Sequence, residues 1–74
     1  MTREQRELLR AVLDEKVYLS HGGAILRWAR GGQNRRCDKT IRRMVALGWV
    51  VGPPEGASFF QATDDGLTAW KAAA

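Results

Sequence analysis

The chain has 74 residues, one cysteine (Cys37), one histidine (His21) and a formal net charge of +4. A chain of this length forms a single domain, residues 1–74, with a small core; one thiol makes no internal disulfide, and one Cys with one His falls short of a structural zinc site. It has no apolar run long enough for a signal peptide or membrane span and too few residues for a deep catalytic cleft, so the expectation is a cytoplasmic, non-enzymatic protein without cofactor, metal or membrane partner.

Residues 2–15 read as a helix. Thr2 with Gln5 three residues on fits a capping box, and Leu8, Leu9, Val12 and Leu13 form an apolar stripe at helical spacing. Arg3–Glu7 and Arg10–Asp14 are i,i+4 pairs, each contributing a few tenths of a kcal/mol. The charges on this helix balance, so it reads as scaffold.

Residues 17–36 admit two readings. Two glycine pairs, Gly22-Gly23 and Gly31-Gly32, bracket residues 24–30. In the first reading Val17–Ser20 and residues 24–30 are the strands of a hairpin with Gly-Gly at a tight turn, because Val17, Tyr18, Ile25 and Trp28 are good strand formers. His21 is then a turn residue, and alternation puts Leu26 and Trp28 on one face and Arg27 on the other. In the second reading residues 24–30 are the first helix of a helix-turn-helix. The strand reading is preferred, because a two-turn helix between glycine pairs has little stability of its own.

Residues 38–47 read as a helix with Asp38 as N-cap and Gly48 at the position after its end. Cys37, Ile41, Met44 and Val45 fall on one side, and Lys39, Arg42, Arg43 and Ala46 on the other. Trp49-Val50-Val51 continues as a strand, residues 52–56 (Gly-Pro-Pro-Glu-Gly) are a loop, and residues 58–62 are the returning strand. Thr63 caps a last helix, with Asp64 and Asp65 complementing its dipole; Leu67 and Trp70 pin it to the core.

The charge is concentrated. Residues 17–51 hold Arg27, Arg30, Arg35, Arg36, Lys39, Arg42 and Arg43 against Asp38 alone, a balance of +6, whereas residues 1–16 are neutral and residues 52–74 are −2. Such an excess attracts polyanions, and arginine suits bidentate contact with phosphate and guanine. The candidate nucleic-acid contacts are therefore Arg35, Arg36, Lys39, Thr40, Arg42 and Arg43, widened by Arg27 and Arg30. Trp28 is a candidate contact for a protein partner; Trp49 and Trp70 read as core, as does Cys37 on the apolar side of its helix.

The run Thr40-Ile41-Arg42-Arg43-Met44-Val45-Ala46-Leu47-Gly48-Trp49-Val50, the tip at 52–56, and Phe59-Phe60-Gln61-Ala62-Thr63-Asp64-Asp65-Gly66-Leu67 together resemble the winged-helix DNA-binding superfamily. The likeness covers residues 40–72 and extends in layout to small phage-type members. It implies an α+β domain of three helices with a C-terminal hairpin as the wing, here with an extra N-terminal hairpin. It also implies a DNA-binding transcription regulator using the helix at 38–47, dimeric if it reads a specific operator. The segment before that helix and the acid-leaning tip depart from the pattern. They keep open an alternative: an inhibitor or adaptor that contacts the transcription apparatus, or another host protein, through the same basic and Trp28 surface.

Overall fold

The structure is a computed structural model that describes residues 1–20, 23–27 and 34–73, with Ala24, Leu26, Arg27 and Asn34 described by backbone alone. Helix α1 spans Arg3–Leu13. Its capping box forms as the sequence predicts: Gln5 N–H donates to Thr2 Oγ1 at 3.1 Å and Thr2 N–H donates to Gln5 Oε1 at 2.9 Å. Leu8, Leu9, Ala11 and Val12 are buried, whereas Leu13 is exposed at the helix end and leaves the expected stripe. The chain turns out of α1 through Glu15 at φ 55°, where Lys16 N–H reaches back to the Ala11 carbonyl at 2.9 Å. This is the left-handed exit that glycine normally supplies.

Strands β1 (Val17–Ser20), β2 (Gly23–Arg27) and β3 (Asn34–Arg36) form an antiparallel sheet in that order. The strand reading of this segment therefore holds for residues 24–27; residues 28–30, with Trp28 and Arg30, and His21 lie outside the described residues. Two details differ from expectation. Gly23 is already the first residue of β2, opposite Ser20, whereas Gly22 lies outside the described residues. Residues 34–36 form a strand, with Arg36 opposite Ile25.

Helix α2 spans Asp38–Ala46. Cys37 occupies the N-cap position without a side-chain cap bond, so Asp38 is the first helical residue and not the cap. A tertiary contact outweighs the local preference: the Asp38 carboxylate packs against Gly23, where a β-carbon would overlap it, and takes a hydrogen bond from Arg36 at 3.1 Å. The C-terminus of α2 follows the predicted glycine exit, with Gly48 at φ 78° and Trp49 N–H donating to the Met44 carbonyl at 3.0 Å.

Strands β4 (Val50–Val51) and β5 (Gln61–Ala62) pair antiparallel. The expected returning strand at 58–62 is divided. Its first part leaves β4 and joins β1: Leu19 N–H donates to the Ser58 carbonyl at 3.0 Å, Phe60 N–H donates to the Val17 carbonyl at 2.9 Å, and the Tyr18 and Phe59 rings meet edge to face at 6.4 Å. Residues 58–62 thus stitch the two sheets together.

Helix α3 (Asp64–Ala72) starts at the predicted cap, with Gly66 N–H donating to Thr63 Oγ1 at 2.9 Å. Leu9 of α1, Val17 of β1, Met44 of α2 and Val50 of β4 are the most deeply buried large side chains, one from each of four elements. Each contributes about 2 kcal/mol by burial. Cys37, Trp49 and Trp70 pack partly buried against this core. The result is a small compact α+β domain of three helices and small antiparallel sheets, with α2 held between α1 and the β1–β2 hairpin.

Candidate nucleic-acid interface

The buried face of α2 is fixed by Ile41 and Met44, and its opposite face follows from the helical repeat. Lys39, Arg42 and Arg43 are exposed at i, i+3 and i+4, one continuous stripe. Among the described residues none of the three is in an ion pair. The acids of α1 are engaged elsewhere: Glu7 with Arg3 at 3.2 Å, Asp14 with Arg10 at 3.3 Å, and Glu4 with Thr40.

The other predicted contacts are distributed differently. The Thr40 hydroxyl donates to Glu4 Oε1 at 3.0 Å, which ties α2 to α1 at the flank of the stripe. Arg35 and Arg36 are both exposed, but strand alternation in β3 sends them to opposite faces of the sheet. Arg36 turns to Asp38, so half of that expected pair neutralises the acid at the start of α2. The Arg36 hydrogen bond, aided by the Arg42 charge, holds the Asp38 carboxyl below its usual range against the opposing effect of desolvation. Arg27 stands in β2 opposite Asn34 by its backbone, and Arg30 and Trp28 lie outside the described residues.

Arg6 and Arg10 of α1 serve a structural purpose. Their guanidinium groups lie 5.0 and 5.8 Å from the Trp70 ring centre, and Arg6 Nη1 donates to the Trp70 carbonyl at 3.2 Å. This stack joins α3 to α1.

One feature of α2 departs from the sequence expectation. Val45, placed on the core side, is 44% exposed. It stands about 100° round the helix from Met44 and borders Arg42, so its angular position carried the signal. Beside it a groove of about 230 Å³ opens between α2 and β1, lined by Leu19, Ile41, Arg42, Val45 and Phe60 together with Asp38, which packs against Gly23. The loop between β4 and β5 presents Pro53, Pro54 and Glu55, and its one charge is acidic.

Among the described residues no group of three or more His, Cys, Asp or Glu side chains is arranged to hold a metal, and no helix is long and apolar enough to cross a membrane. No family model matches the chain, and no curated protein or solved structure is significantly similar to it.

Proposed function

We propose that this chain is a nucleic-acid-binding module whose partner is duplex DNA and whose contact surface is the outer face of α2. The observation that carries the reading is the stripe of Lys39, Arg42 and Arg43, exposed and free of ion pairs among the described residues. A helix bearing long cations on its open side suits the major groove, where they reach both phosphates and base edges. The order α2, glycine exit, β4–β5 hairpin and capped α3 supports a winged-helix-like frame. In that frame the chain acts as a small cytoplasmic transcription regulator of phage type, dimeric where a specific site requires two half-sites. The hairpin loop takes no part in phosphate contact, because Glu55 would repel the backbone.

The test is gel retardation of unrelated duplexes at low and raised salt. With about three phosphate contacts, a fourfold rise in salt weakens binding about 40-fold. Lys39→Ala/Arg42→Ala/Arg43→Ala abolishes the retardation. No binding at low salt would sink the reading.

A further inference from the structure

We propose that the groove between β1 and α2 is a docking site for a short acidic segment of a partner protein that seats one aliphatic side chain. The groove can be occupied whether or not the chain binds nucleic acid. Leu19 on one wall and Val45 on the other are 54% and 44% exposed, while Ile41 and Phe60 form a buried apolar floor. Single exposed aliphatics are ordinary, but here two face each other across a concavity already lined with carbon. The volume of about 230 Å³ is enough for one side chain and its adjoining backbone, since a cavity of about 150 Å³ holds a benzene-sized group.

Charge selects the occupant. Arg42 forms part of the wall, and Lys39 and Arg43 stand within a turn of it. The one acid at the groove, Asp38, is paired with Arg36; of the three cations only Arg42 also acts on it, so Lys39 and Arg43 are left to meet carboxylates. An aliphatic anchor flanked by carboxylates satisfies the apolar floor and the basic rim together. A phosphate backbone satisfies only the rim. Because Arg42 belongs to both surfaces, an acidic segment in the groove competes with nucleic acid on α2.

The experiment is titration of the 15N-labelled chain with three blocked pentapeptides: Glu-Asp-Leu-Glu-Asp, its Gly-for-Leu counterpart, and Lys-Lys-Leu-Lys-Lys. The expected result is amide shifts at Leu19, Ile41 and Val45 with the first peptide, and at least about fivefold weaker binding of the other two. Leu19→Asn and Val45→Asn, both at exposed positions, weaken the first peptide by the same factor and leave gel retardation of duplex DNA unchanged. Equal binding of the leucine and glycine peptides would reduce the effect to charge and overturn the proposal. So would shifts confined to Lys39 and Arg43, or shifts at Leu19 and Val45 produced by single-stranded oligothymidine and not by peptide. The nucleic-acid reading fails separately, through loss of retardation.

Discussion

Gly66 of α3 lies against the backbone carbonyl of Trp49 so closely that no β-carbon fits between them. One turn earlier, Thr63 accepts from Gly66 N–H and donates its hydroxyl to the Gly48 carbonyl, and Thr63 N–H donates to the Trp49 carbonyl at 2.9 Å. The Thr-x-x-Gly junction is thus the joint between the exit of α2 and the start of α3. Helix propensity favours alanine over glycine by about 1 kcal/mol, so it predicts that Gly66→Ala stabilises. The joint predicts the opposite: a loss of about 1–3 kcal/mol from overpacking. Urea denaturation decides the sign, with Gly52→Ala as control because a β-carbon at that position meets nothing within 4 Å.

Asp38 gives the domain an acid-sensitive contact. Its carboxyl is held below its ordinary value, first by the Arg36 hydrogen bond. A carboxylate of lowered folded pKa adds stability that is complete above its unfolded value of about 3.9 and is lost as pH falls through the folded one. Asp38→Asn keeps the shape against Gly23 and removes the titration. The variant is less stable than the wild type at neutral pH, and the difference closes below about pH 4. Thermal midpoints across that range measure it; equal midpoints for variant and wild type at every pH would show that Asp38 acts by shape alone.

Those two contacts also divide what the sequence made legible from what it did not. The Thr2 capping box, the Gly48 exit and the Thr63 cap are local, each made within a few residues, so spacing located them. The basic stripe on α2 was legible for the same reason: the helical repeat that buries Ile41 and Met44 exposes Lys39, Arg42 and Arg43. The strand at 34–36 and the sharing of residues 58–62 between β1 and β4 depend on partners distant in sequence, and no local pattern encodes that pairing. Asp38 was misplaced because the Arg36 and Gly23 contacts override its capping preference. The groove was not legible because Val45 sits at the edge of the apolar sector, where whether it is covered depends on where β1 runs.

The end of α1 carries a correctable strain. Glu15 adopts φ 55°, a left-handed conformation that costs a residue with a side chain about 1 kcal/mol or more. Glu15→Gly removes that cost at an exposed position. The expected gain is up to about 1 kcal/mol, offset in part by the greater freedom of glycine in the unfolded chain. The midpoint of chemical denaturation rises accordingly, and a fall would mean that unfolded-state entropy dominates.

Two pairs of arginines stand in different surroundings, which gives a charge-matched test of the proposed interface. Arg6 and Arg10 stack on Trp70, whereas Arg42 and Arg43 stand open on α2. Either double alanine variant removes two positive charges, so any effect of net charge on polyanion binding is the same in both. Arg6→Ala/Arg10→Ala lowers stability by about 1–2 kcal/mol through lost cation–π and packing contacts, and leaves duplex affinity within about twofold. Arg42→Ala/Arg43→Ala leaves stability within about 0.5 kcal/mol and weakens the duplex complex by about tenfold or more at moderate salt. Urea denaturation and fluorescence anisotropy on the same two preparations measure both quantities. If both pairs lower affinity equally, the duplex responds to overall charge, and the face of α2 has no privileged part in recognition.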